Sequence, residues 1–379
     1  MGNRKGLSIP RYYLDAAVIT LFLILFAFQS PYTLLSCYSL AAIYVLFRWE
    51  YISIRRSIFT YYLWMACLFL PALSLFNHGI TPYIYLLLFP VLVIFASLYA
   101  KQPINAIKSS LSYSFWVLII LTLSAVLKNG FSATPLEQLI PGTSTNGIPS
   151  YFIVLFVALA ISSLISEGRM PVVASIATFI IAILGVGRGS IIVAAILLLF
   201  SLSFAFFSSK IRPGYKLSLV LLAVLLAIIY IANNFIEILI MFETVLEGSK
   251  FANGIWDEHR AKIIMEYIAK IDVLPFILGA DYIGTSILDF YDGNPHNSYI
   301  RVHAFYGLWG VLCIFIPLIL LAFKDVNWHL KLSIFFLIGC ALLRATSEPI
   351  FFPSLLDFFY LLYFFMFHYN YPSFKISKA

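Results

Sequence analysis

Runs of about twenty apolar residues recur along almost the whole chain and leave few folds open to it. Bounded by charge, Pro or Gly, they fall near 12–29, 31–47, 58–76, 80–99, 111–127, 148–165, 171–186, 189–207, 217–235, 299–322, 331–346 and 351–368. A helix crossing a hydrocarbon layer needs about 20 mainly apolar residues. Soluble domains average roughly 45–50% apolar and about 25% charged residues; this chain has 62% hydrophobic and 11% charged. In lipid the backbone must satisfy its own hydrogen bonds, which favours helices. The chain therefore reads as an all-α polytopic membrane protein of about 12 transmembrane helices, with one large, partly helical extracytoplasmic loop.

Three regions follow: spans one to nine in 1–235, a polar loop in 236–298, and spans ten to twelve in 299–379. The loop gathers Glu237, Glu243, Glu247, Lys250, Asp257, Glu258, Arg260, Lys262, Glu266 and Lys270. Within it, apolar residues at 255, 256, 263, 264, 267, 268 and 271 repeat at helical spacing, which predicts an amphipathic helix lying over the membrane domain.

Lys and Arg set orientation, because they collect on the cytoplasmic side. With the N-terminus inside, 16 of the 24 do so, at Arg4, Lys5, Arg11, Arg48, Arg55, Arg56, Lys101, Lys108, Arg169, Lys210, Arg212, Lys216, Lys324, Lys331, Lys375 and Lys378. Both termini are then cytoplasmic and the loop lies outside. The net charge of +7 is spread over these short connections and does not indicate nucleic-acid binding. Cys37, Cys67, Cys313 and Cys340 all sit in apolar runs and read as small buried hydrophobes. The basic start and apolar 16–28 resemble a signal peptide but lack a clear cleavage site, so they are taken as the first span.

Arg188 and Arg344 stand against the orientation rule, at outer helix ends, where an arginine usually has a partner. Arg188, within Gly185–Gly189, opens a long apolar helix; backbone donors beside a guanidinium suit phosphate oxygens. The alternative is an arginine snorkelling to the interface. Arg260 reads alone as part of a solvated helix face. Arg344 is expected to form a structural ion pair with Glu348, and Asp15 and Asp357 to lie near the cytoplasmic ends of their spans.

Asn294-Pro295 marks a turn and a helix start. A helix from there puts His296, Tyr299, Ile300 and His303 on one face, with Arg301 elsewhere. His296 reads either as an interfacial histidine bonded to nearby backbone or as a base facing the outer compartment, with an ordinary pKa near 6.5 suited to neutral pH. No metal-ligand spacing, Walker loop or nucleophile elbow is present, and no metal or cofactor is expected.

Three segments together resemble the O-antigen polymerase and O-antigen ligase superfamily of bacterial envelope proteins. Gly187-Arg188-Gly189-Ser190 is similar to its Arg-Gly motif. Arg260, a helical stretch, then Leu274-Pro275 and Leu278-Gly279 resemble its loop pattern. Pro295-His296-Asn297-Ser298-Tyr299 with Gly307-Leu308-Trp309-Gly310 resembles its loop-closing segment. Ala280 and Arg301 depart from the pattern.

The resemblance implies a metal-independent glycosyltransferase of the bacterial inner membrane, acting at the periplasmic face on an undecaprenyl-pyrophosphate-linked glycan. It implies His296, Arg188 and Arg260 as catalytic, and Arg188, Arg260, Asn297, Tyr299, Arg301 and His303 as substrate-binding. The implied partners are the lipid-linked oligosaccharide, membrane lipid and a chain-length regulator. Polymerase is preferred over ligase onto lipid A–core. A flippase is the competing class, disfavoured because internal repeats and broken helices are not evident.

Overall fold

The computed structural model describes residues 11–48, 78–130, 147–208, 258–324 and 326–370, with positions 135, 136 and 139. The expected spans 58–76 and 217–235, and the polar stretch up to 257, lie outside the described residues. Every regular element described is a helix, and no strand occurs among the described residues. In order they are α1 Arg11–Ala27, α2 Pro31–Phe47, α3 Ile80–Ala100, α4 Ile104–Asn129, α5 Gly147–Glu167, α6 Val172–Leu184 and α7 Arg188–Ser208. Then come the loop helices α8 Glu258–Ile268, α9 Val273–Leu278 and α10 Ser286–Asp289, followed by α11 Ser298–Ala322, α12 Trp328–Ala345 and α13 Asp357–Asn370. Five of them, α4, α5, α7, α11 and α12, run 18 to 26 residues and are apolar enough to cross a membrane. This is the make-up of a helical membrane protein.

Local chemistry explains most boundaries. Ser30 caps α2 by a reciprocal pair: its Oγ accepts from Thr33 N at 3.2 Å, and Thr33 Oγ1 accepts from Ser30 N at 3.1 Å. Pro31, which has no amide to satisfy, takes the first helical position. The last helix starts at Asp357, not near 351 as the apolar run suggests, because Pro349 and Pro353 keep the chain irregular until then. In the loop, the described part of the expected amphipathic segment is helical from Glu258 to Ile268.

The bundle is organised around α5, which packs against α1, α4, α6, α7, α12 and α13 and is buried over nearly its whole length. Ala158, Ala160, Ser162 and Ser163 keep its surface low, so neighbouring backbones come close. Tyr363 of α13 donates to Val154 O at 2.7 Å, and Ser114 of α4 donates to Ala16 O at 2.9 Å. These two buried hydroxyls are thereby satisfied in an apolar layer.

Helix ends sort into two opposite groups. At one end Asp15 accepts from Tyr44 at 3.0 Å and Arg48 at 3.2 Å, and Gln102 donates to Tyr44 at 2.9 Å. Lys108 pairs with Glu167 there, Asn370 donates to Ala100 O at 2.8 Å, and Lys324 donates to Phe367 O at 2.7 Å. Partial burial pulls the Lys324 ammonium down to about 8. Asp357, expected at this cationic end, is at the other. It accepts from Phe352 N and Ser354 N, both at 2.9 Å, and from the Tyr85 hydroxyl. The buried acid thereby satisfies backbone amides of the segment that leads into α13.

Candidate functional site

At the end opposite Lys324, α12 finishes in the turn Thr346-Ser347-Glu348. Arg344, 1% exposed, lies 3.5 Å from Glu348 Oε1 and donates to Ser347 Oγ at 2.6 Å. The expected ion pair is therefore present. Arg260, on α8 and far away in sequence, approaches the same Oε1 at 3.8 Å. One carboxylate thus serves two guanidinium groups.

The Arg188-Gly189 junction comes up to the same helix end. A Cβ at Gly189 would fall 2.7 Å from Ser347 Oγ and 3.3 Å from Arg344 Nη1. Only glycine lets the start of α7 come this close to the end of α12, and Arg188 is carried in beside it. The turn before it bends through Val186, at φ 54°.

His296 is held differently from the sequence expectation. The helix begins at Ser298, so His296 precedes it and does not share a helical face with Tyr299, Ile300 and His303. It sits at φ 48°, a region costly for a residue with a Cβ, in a turn closed by its amide donating to Asn294 Oδ1 at 2.9 Å. The Tyr291 ring meets its imidazole edge-on at 5.2 Å. Asn297 is the cap of α11, its Oδ1 accepting from Tyr299 N at 2.8 Å and Ile300 N at 3.2 Å. Next to it, Ser298 Oγ donates to Glu348 O at 2.9 Å and accepts from Phe351 N at 3.1 Å. The His296 turn is thereby fastened to the segment that carries the shared carboxylate.

The other expected substrate contacts have partners within the protein. Tyr299 donates to Leu342 O at 3.2 Å, and Arg301 donates to the carbonyls of Pro349 and Phe351. His303, 8% exposed, bonds Phe276 O at 3.0 Å through Nε2 and the Tyr267 hydroxyl at 2.8 Å through Nδ1. A carbonyl can only accept, so Nε2 carries the proton and, in the neutral ring, Tyr267 donates to Nδ1. Arg260 thus reaches the Glu348 carboxylate, the Arg188-Gly189 junction packs on the same helix end, and the His296 turn is tied to it through Ser298, while Asn297, Tyr299, Arg301 and His303 hold the surrounding backbone. Glu348 and Ser298 were not foreseen as organising residues. One signal was available: Glu348 is the single acid between Lys331 and Asp357.

In the loop, Glu266 accepts from Ser286 N at 2.7 Å and Ser286 Oγ at 2.5 Å, which fixes α10 on α8 and holds the carboxyl below its usual range. Beside the bundle a cavity of about 260 Å³ opens between α1, α4 and α5. Its walls are apolar, from Leu23, Phe28, Leu118, Leu121 and Leu155, with Tyr151 as the main polar group. Tyr151 accepts from Gln29 at 3.4 Å. Among the described residues no three His, Cys, Asp or Glu side chains gather as a metal site would require.

Comparison with known proteins finds no match to any family model, any curated protein or any solved structure.

Proposed function

We propose that the chain is a membrane glycosyltransferase of the O-antigen polymerase kind. It takes a glycan from undecaprenyl pyrophosphate and joins it to another lipid-linked repeat unit. The reading includes about twelve spans, a periplasmic loop, cytoplasmic termini and an inner-membrane location. The observation that carries it is the sharing of Glu348 by Arg260 and Arg344, with the Arg188-Gly189 junction packed against the same helix end. Guanidinium groups gathered at a helix end, at headgroup level, suit a pyrophosphate.

In the proposed step a sugar hydroxyl attacks the anomeric carbon of the donor. The bond to the pyrophosphate oxygen breaks, and undecaprenyl pyrophosphate leaves with the bonding pair. Arg188 and Arg260 stabilise the charge that develops on it, an effect worth roughly 3–4 kcal/mol per well-placed donor in other enzymes. His296 takes the hydroxyl proton, a contribution of about 10²–10⁴-fold. The apolar cavity beside Tyr151 suits part of the donor's hydrocarbon.

The test replaces Arg188, Arg260 and His296 singly, confirms insertion, and follows glycan length on gels. Loss of the ladder in the variants is expected; three variants that polymerise like the parent would overturn the reading. Purified lipid-linked repeats without lipid A–core should still give a ladder, whereas a ligase would give no product.

A further inference from the structure

Beyond the arginine site, the loop carries an apolar surface that the glycosyltransferase reading does not use. In α9, Val273 is 81% exposed and Leu274 65%, and Phe276 and Ile277 are about half exposed. Ile264, Met265 and Ile268 continue this exposure along α8, whose other face buries Ile263 and Tyr267.

The placement of α9 says what covers it. Its last turn is seated in α11 at Gly307, where a Cβ would lie 1.9 Å from Ile277 O, and Gly279 meets the carbonyls of His303 and Ala304. Gly307 is fifteen residues before Ala322, which is followed at once by the cationic end at Lys324. At 1.5 Å per residue that is about 22 Å of helix. A hydrocarbon core is about 30 Å thick, so a core starting at Ala322 reaches about 7 Å past Gly307. Interfacial helices bury their apolar faces by about 5–10 Å.

The polar groups fit the same depth. Lys270 pairs with Asp281 and donates to Ile283 O at 2.7 Å, closing a polar neck below which residues 271–280 form an apolar hairpin. Inside it, carbonyls that a short helix would leave bare accept from histidines: Phe276 O from His303 at 3.0 Å and Ala280 O from His78 at 3.1 Å. In lipid such carbonyls need a donor from the protein. Asp272, exposed at the start of α9, is the one charge within the hairpin and marks its shallow side.

We infer that this hairpin is an interfacial anchor, its α9 face embedded among the acyl chains of the leaflet opposite Lys324. The inference needs only the membrane character of the bundle and stands apart from the glycosyltransferase reading.

To test it, benzoylphenylalanine is placed at position 274 or 277 of the full chain in phospholipid nanodiscs and irradiated, with position 262 as a solvent-side control. Phospholipid adducts are expected at 274 and 277, several-fold above 262. Adducts with a second copy, with another protein or with residues 236–257, or no lipid adduct, would overturn the inference. A spin label on Leu274→Cys, with the four native cysteines replaced by serine, gives an independent reading. Oxygen should relax it more than an aqueous nickel chelate, and the reverse order would overturn the anchor. Gly307→Val, which unseats α9, should lower the lipid-adduct yield at 274; an unchanged yield would count against the seating.

Discussion

The side chain of Glu348 faces Arg344 at 3.5 Å and Arg260 at 3.8 Å, while its carbonyl accepts from Ser298 at 2.9 Å. Its two ion pairs differ in burial, and so should their replacements. Glu348→Gln leaves the buried Arg344 without its counter-charge, a loss of about 3–5 kcal/mol for pairs of this type, and thermal unfolding in detergent should drop accordingly. Arg260, about a third exposed, contributes little to stability, on the order of 0–1 kcal/mol, so Arg260→Ala should melt near the parent while its glycan ladder shortens or disappears. The two histidines should separate in the opposite sense. His296→Asn keeps a residue tolerant of positive φ and should leave unfolding unchanged while turnover falls by about 10²–10⁴-fold. His303→Phe gives up two buried hydrogen bonds of about 1 kcal/mol each and should lower stability. From sequence the two histidines looked like companions on one face. They part because Asn297 caps the helix and turns the chain at His296 before it begins.

Most helices follow from apolar runs and local caps, since both are written in neighbouring residues. The loop does not follow this way. Its α9 depends on Gly307 of α11 for a seat, and its neck depends on Lys270 reaching Asp281. The hydrogen bond from Lys270 holds the Asp281 carboxyl below its usual range. A depressed carboxylate stabilises the fold above its unfolded pKa, about 3.9, and the contribution is lost as pH falls through the lower folded value. Amide exchange over 271–284 should therefore stay slow down to about pH 4 and quicken only below it. Asp281→Asn should quicken it at neutral pH as well, and exchange rates equal to the parent's would show that the neck does not hold the hairpin. At the α7–α12 contact, Gly189→Leu should displace Arg188 and abolish glycan extension while the chain still inserts, because its clash with Ser347 and Arg344 is confined to helix ends.

At the scale of the molecule, α5 is the hub, and the helix ends divide into a face rich in Lys and a face that gathers Arg188, Arg260, Arg344 and His296. If the first face is cytoplasmic, a cysteine at Lys262 should react with impermeant maleimide in intact spheroplasts, and one at Lys331 only after permeabilisation. The reverse pattern would invert the proposed orientation. Hydropathy and charge add up locally along the chain, so the membrane class, the positions of most of the described helices and the division of the basic residues were legible in the residues alone. Only through-space contacts brought the Arg344–Glu348 helix end to residues as distant as Gly189 and Arg260, put Asp357 at the site end and gave His303 to the loop. Ion pairs and close backbone approaches act through space, and their partners here are up to about 160 positions apart in sequence, too far for any local pattern to record them.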